Sequence, residues 1–442
     1  MNEFGVLSLL LTLSAFLIYV FTLGSFQFLF KNMNESLERR KSVLWISLLT
    51  TVFISLFFTG ITILFDVQIA NLLNLSSFRE ELILTIVATS TTSVMITFLY
   101  YHYGLGKNNF QNFLQFLRGS LWVIVSIALS IFLNLTLYKI LITINVSMCL
   151  ILLISFPWKD RSFIFPVRLS KSELFKLLKY CVPLMPYFMG VWGIPLMVRT
   201  ELNIYEGAKH VAIFSVAYTL IEIVFMFIST ITATLSPYFF SESDDNKNLS
   251  LFYNIMLKYS IICAVLILPF LYLLRYDIIL AVSSDKYKVA GDYIPILIFF
   301  PIVRILVTVF EQFFLKYSQT VYLGITYTAG IILSYLLSIV LIPNFSILGA
   351  VYTSLIAYSV ILLCLLIKQG RGLLDFKYLN LLGLAGFTLS LIIFVLALDF
   401  IEISNFYKII PVGIFAVLGL FLFPVLNEKE KNKIFVLLKL KR

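Results

Sequence analysis

The sequence predicts an all-α, polytopic membrane bundle of about thirteen transmembrane helices, and three observations carry that prediction. Of the 442 residues, 60% are hydrophobic and only 13% charged, which leaves too little polar surface for a water-facing chain of this size. The apolar residues fall in continuous runs of roughly 20, the number a helix needs to cross a hydrocarbon core of about 30 Å. The polar residues fall in short breaks between the runs, none long enough to fold as a soluble domain. A transmembrane barrel is excluded because its strands would alternate apolar and polar over about ten residues.

In order, the runs begin near Phe4, Val43, Leu82, Gly119, Tyr138, Phe175, Val211, Tyr259, Tyr293, Thr320, Ile347, Leu379 and Phe406. They group into an N-terminal bundle over residues 1–157 with about five spans, and a C-terminal bundle over 180–368 with about six. Two further spans and a basic tail occupy 369–442. Between the bundles lies the linker 158–179, containing KDRSFIFPVRLSKSELFKLLK. With Ser172 as N-cap and Lys176 and Lys179 on its polar side, it predicts an interfacial helix leading into the sixth span.

Charge placement orients the chain. The net charge of +10 would suit nucleic acid, but Lys and Arg are about three times as abundant in the odd-numbered breaks and the tail as in the even ones. That bias places the odd breaks, the linker and the C-terminus in the cytoplasm and makes lipid, not nucleic acid, the partner of the basic residues. An odd number of spans then puts Met1 outside. Met1 to Glu3 carry no basic residue and no secretory signal follows, so one upstream helix is expected to be missing from this chain.

Proline and glycine interrupt several spans, most densely at Pro183, Pro186, Gly190, Gly193 and Pro195. This cluster marks a helix able to bend, with Pro183, Pro186, Gly190 and Pro195 as hinge candidates. Four charges stand inside spans: Arg199, Glu222, Arg304 and Glu311. Burying such a group costs about 2.5–3.5 kcal/mol even on the lenient insertion scale, so each is expected to face a cavity or a partner. Arg304 and Glu311 are seven residues apart and share a face of the ninth span. Arginine suits phosphate through its planar fork, and a membrane carboxylate suits a proton or a monovalent cation. Arg199 and Arg304 are therefore substrate-cavity candidates, and Glu222 and Glu311 ion-coupling candidates. Asp66, Arg118 and Arg275 stand at span ends and read as interfacial. The four cysteines form no C-x-x-C pair and His102 and His210 are the only histidines, so neither a metal nor a cofactor is expected. No G-x-x-x-x-G-K-[ST] loop is present, which argues against ATP hydrolysis, and no catalytic residue is assigned.

Several segments are more specific. EFGVLSLLLTLSAFL (Glu3 to Leu17), CVPLMPYFMGVWGIPLMVRTELN (Cys181 to Asn203), VAIFSVAYTL (Val211 to Leu220), DKYKVAGDYIPIL (Asp285 to Leu297) and LIPNFSILGAVYTSLIAY (Leu341 to Tyr358) resemble helices of the bacterial polysaccharide flippases. These form a branch of the multidrug, oligosaccharidyl-lipid and polysaccharide exporter superfamily. The resemblance covers essentially the whole chain and implies two pseudo-symmetric bundles around a central cationic cavity. It also implies a fourteen-helix plan of which this chain lacks the first helix. Two positions depart from the pattern: Val198 stands where many members have an Asp before the arginine, and Ser338 where an asparagine is common.

The resemblance implies outward flipping, by alternating access, of an undecaprenyl-diphosphate-linked oligosaccharide across the bacterial cytoplasmic membrane. The partners it implies are that lipid-linked oligosaccharide, membrane lipids and a polysaccharide polymerase. Drug export and peptidoglycan-precursor export are the alternatives within the superfamily. A membrane polysaccharide polymerase ranks behind them, because the outer breaks are short and poor in paired carboxylates. A scaffold role would follow if the missing helix left the chain inactive.

Overall fold

A computed structural model describes residues 1–32, 37–105, 107–132, 134, 136–158, 171–241, 246–317, 319–369, 380–399 and 405–423. Residues 159–170 of the linker and the basic tail from Lys429 lie outside them. Every element among the described residues is helical. In chain order these are α1 (Asn2–Thr22), α2 (Ser25–Lys31), α3 (Leu37–Leu64), α4 (Asp66–Leu72), α5 (Arg79–Gly104), α6 (Asn108–Ser130) and α7 (Leu137–Ser155). There follow α8 (Lys171–Cys181), α9 (Met185–Glu206), α10 (Ala208–Ser241), α11 (Asn246–Leu273), α12 (Arg275–Val282), α13 (Ile294–Leu297) and α14 (Phe299–Lys316). The last are α15 (Thr320–Gln369), α16 (Leu381–Asp399) and α17 (Asn405–Leu422).

Nine helices among the described residues are long and apolar enough to cross a membrane. A bent pair, Asp285–Leu297 with Phe299–Lys316, makes a tenth if taken as one span. Shorter apolar helices cover Leu382–Leu398 and Tyr407–Leu420. The side chains turned outward are those that water would reject: Phe53 is 73% exposed, Phe132 83% and Leu382 89%. Hydrocarbon is the solvent that tolerates them, and a helix is the form that satisfies its own backbone there.

The chain divides into two compact units, each drawn from two stretches. Unit 1 comprises Met1–Ala212 and Gln319–Ala357. At its centre α5 packs against α1, α2, α3, α6 and α7. This helix carries the run Thr-Ser-Thr-Thr-Ser at 89–93, and the hydroxyls of Thr89, Ser90, Thr92 and Ser93 each donate to the carbonyl four residues earlier. Bonded back in this way, a hydroxyl side chain is both small and satisfied, so neighbouring helices approach α5 closely at little polar cost. Unit 2 comprises Ile213–Ser318 and Tyr358–Arg442. Its core forms where α11, α16 and α17 meet, around Val265, Phe387, Leu391 and Val412.

In unit 1, the described part of the linker helix begins at Lys171, so Ser172 lies within its first turn and not at the predicted N-cap. Lys176 and Lys179 are exposed and Leu177 and Cys181 buried, the two faces that an interfacial helix needs. Of the four cysteines Cys181 is buried, whereas Cys149 is exposed on the apolar outer surface.

The runs beginning at Thr320 and Ile347 both fall in α15, which is broken at Ser346 (φ 51°, ψ −126°) beyond Pro343. A Cβ on Gly349 would stand 2.2 Å from the Leu341 carbonyl oxygen and 2.8 Å from the Ile342 Cα. Eight residues of straight helix would separate those positions by about 12 Å, so the chain folds back on itself at Ser346, and only glycine admits the contact. Gly349→Val should force the turn open at a cost of about 3 kcal/mol. The expected result is a lowered thermal midpoint of the detergent-purified protein and less monodisperse material; an unchanged midpoint would refute the tight turn.

Candidate functional site

The intramembrane charges predicted from the sequence separate between the units, and each is described within its own. In unit 2, Glu222 lies on α10 and Arg304 on α14, 82 residues apart in sequence, and Arg304 Nη1 donates to Glu222 Oε1. The Arg304 side chain is 12% exposed and that of Glu222 28%. The guanidinium is caged by rings as well: its Cζ lies 4.5 Å from the centroid of Phe225, 5.6 Å from Tyr358 and 5.8 Å from Phe300. Ring quadrupoles attract a desolvated cation, so cage and carboxylate together offset the cost of holding Arg304 out of water.

Glu311 is also buried, two turns along α14 from Arg304, and Tyr358 of α15 stands within electrostatic reach of Arg304, Glu222 and Glu311. Three of the four predicted charges thus belong to one cluster. Around Tyr358 the guanidinium of Arg304 stands with the carboxylates of Glu222 and Glu311, so the cluster is mixed in charge. What it can do chemically is exchange: an anion attracted to Arg304 competes with Glu222, and a displaced carboxylate in a poorly solvated site takes up a proton or a cation.

In unit 1, Arg199 is 5% exposed and its Nη1 donates to the Pro195 carbonyl oxygen one turn earlier, at 3.3 Å. The end of its helix is clasped by paired amides. Asn203 Nδ2 donates to the carbonyls of Leu73 and Asn74 at 3.0 and 3.2 Å, and Asn74 Nδ2 returns a bond to the Asn203 carbonyl at 3.0 Å. Asn74 adopts φ 54°, a conformation asparagine tolerates better than most residues. Val198 is wholly buried, and the nearby buried carboxylate of Glu201 is two residues from Arg199 and so on a different face of α9.

The hinge candidates lie around a real interruption. A short 3-10 turn, Val182–Leu184, separates α8 from α9, Pro183 and Pro186 open the successive elements, and Pro195 lies inside α9. Gly190 is a packing position: a Cβ there would stand 2.4 Å from the Cβ of Tyr327 on α15.

Among solved structures, the chain resembles "Lipid II flippase MurJ, inward closed conformation" with a TM-score of 0.70. The two are 14% identical over 96% of this chain and 95% of that one. A MATE-family multidrug resistance transporter of the MOP superfamily, inward-facing, matches at TM-score 0.61 and 14% identity, over 81% and 86% of the two chains. A MOP superfamily transporter from Pyrococcus furiosus matches at 0.58 and 13%, over 85% and 88%. No protein-family model matches the sequence, and no curated protein matches it in sequence. The chain has the MurJ- and MATE-like fold. It is a multi-pass membrane protein whose structural neighbours are flippases and transporters.

Within this MurJ-like fold, several charges occupy places that the sequence reading did not give them. Arg118, read as interfacial because a span seemed to start at Gly119, lies midway along α6, whose polar first turns from Asn108 are already helical. Lys258, one residue before the run from Tyr259 and not singled out from the sequence, is fully buried in α11, which starts at Asn246. Helical spacing is the signal that would have found Arg118: Gln111, Gln115, Arg118 and Trp122 repeat at one-turn and two-turn intervals. Arg275 stacks over Tyr272 and Tyr276, and Asp66 pairs with Arg79 at 3.6 Å.

Removing one member of the Glu222–Arg304 pair strands the other. Glu222→Ala and Arg304→Ala should each destabilise the detergent-purified protein by roughly 3 kcal/mol, the low end for a buried pair because Glu222 retains some exposure. The double variant Glu222→Gln/Arg304→Met should lose less than the sum of the single losses; strictly additive losses in thermal unfolding would show that the two side chains are not coupled.

Proposed function

We propose that this protein flips undecaprenyl-diphosphate-linked oligosaccharide units outward across the bacterial cytoplasmic membrane, as a member of the polysaccharide-flippase branch. The observation that carries the reading is the Glu222–Arg304 pair, an arginine held inside the membrane by a carboxylate that a stronger anion can replace. Its setting agrees: 96% of the chain follows the fold of a lipid II flippase.

In this reading the diphosphate engages Arg304 from the cytoplasmic side through paired, charge-assisted hydrogen bonds and releases Glu222. The freed carboxylate, or Glu311 beside it, takes up a proton or a cation, which couples direction to an ion gradient. Arg199 is the substrate-cavity candidate of unit 1, and the breaks around Pro183, Pro186, Gly190 and Pro195 let α9 bend between states. The glycan rides in water and the polyprenyl tail remains in lipid, to be received outside by a polysaccharide polymerase. We place the working bundles at residues 1–157 and 180–368, joined by the linker 158–179, with 369–442 supplying two further spans and a cytoplasmic C-terminus.

A second reading, drug export, is favoured by the two carboxylates, Glu222 and Glu311, that stand with Arg304 around Tyr358. The two separate in cells lacking their own polysaccharide flippase but holding a matched glycan pathway. Flipping predicts that the protein restores surface glycan and that Arg304→Ala abolishes it at equal membrane abundance. Glu222→Gln should cut the restored glycan at least tenfold. Drug export predicts no surface glycan, with cationic-dye resistance that Glu222→Gln removes.

A further inference from the structure

Unit 1 encloses a cavity of about 420 Å³ lined from α1, α5, α6, α7 and α9, within the size range of small-molecule sites. Its wall is unlike the rest of the bundle. Tyr19, Tyr100, Gln115, Arg118, Trp122 and Trp192 converge on it, and among the described residues none of these six side chains makes a hydrogen bond or an ion pair. Arg118 is half-buried midway along its span, with the Tyr19 and Tyr100 hydroxyls as its electrostatic neighbours and, among the described residues, no carboxylate beside it. The contrast with Arg304, which has Glu222 and three rings, is direct. Tyr19 is fixed by stacking on Phe188 at 4.9 Å, and Tyr100 by Phe26 at 4.6 Å.

An uncompensated guanidinium in a membrane span selects against cationic and purely apolar guests. Four rings at the wall offer flat apolar faces, while indole N–H, phenol and amide groups remain available for hydroxyls. A ring with an apolar face, a rim of hydroxyls and one anionic group uses all of these features. We infer that this cavity binds an anionic pyranose, with its carboxylate or phosphate on Arg118, its C–H face against Trp122 or Trp192, and its hydroxyls on Gln115 and the tyrosines. The inference rests on the flippase reading only in naming what a glycan cargo would contain; the site is tested by binding, apart from translocation.

The cavity supplies its own reporters, since two of the four tryptophans line it. The protein with Trp45→Phe and Trp158→Phe, in phosphatidylcholine nanodiscs, would be titrated with glucuronic acid, glucose 1-phosphate, glucose and inorganic phosphate while tryptophan emission is followed. The expected result is a saturable change with both anionic sugars, and at least tenfold weaker responses to glucose and to inorganic phosphate. Arg118→Gln should bring the anionic sugars down to the level of glucose, and Arg118→Lys should restore part of the difference. Equal responses to glucose and glucuronic acid would overturn the charge selectivity, and inorganic phosphate binding as well as glucose 1-phosphate would reduce the site to an anion site and overturn the sugar. The comparison of ligands is made with Arg118 intact, so it decides even if Arg118→Gln does not fold. Lost anionic-sugar selectivity with glycan restoration intact would sink this site alone; selectivity without restoration would support the site while the flippase reading fails.

Discussion

Hydrocarbon offers no hydrogen bonds, and every polar group placed in it must find a partner inside the protein. Most features of this structure follow from that constraint. The backbone is helical because a helix satisfies itself, and the hydroxyls along α5 bond back to their own turn so that they can be buried between neighbours. The asparagine pair near the end of α9 joins two helix ends 129 residues apart by exchanging side-chain amide bonds with backbone carbonyls. Arg304 is tolerated through a carboxylate and three rings.

Against that background, polar groups left open acquire meaning. A charge fully matched inside a bundle stabilises one arrangement, and a charge whose partner can be exchanged allows two. The Glu222–Arg304 pair is partly exposed, and a second carboxylate, Glu311, shares Tyr358 as an electrostatic neighbour. Unit 1 handles its cations differently: Arg199 is buried and bonded to its own helix, whereas Arg118 opens on a cavity walled by aromatic rings. A single chain thus carries an ion-paired cluster in one unit and an aromatic, donor-rich cavity in the other.

The legibility of these features from the sequence depended on where the polar residues stood. A charge deep within an apolar run, such as Arg304 or Glu311, announces itself because nothing around it lowers the cost of burial. Arg118 and Lys258 did not, because each sits where a polar amphipathic turn continues into the apolar run, and hydropathy ends the span at the charge although the helix goes on. The α15 break was legible as the division between the runs from Thr320 and Ile347, but nothing in the linear pattern shows that Gly349 comes to lie against the Leu341 carbonyl.

What the sequence by itself determined is the class of the protein: membrane solvent, helical form, the approximate places of the spans and the short list of charges that need explaining. These follow from composition and period, which act locally and report the cost of each residue in lipid. Partnership is another matter. That Arg304 meets Glu222 across 82 residues, that Gly190 makes room for Tyr327, and that six polar and aromatic side chains from α1, α5, α6 and α9 share a cavity are consequences of which helix faces meet. Helix packing settles those pairings through side-chain shape summed over whole interfaces, and no single stretch of sequence contains that sum.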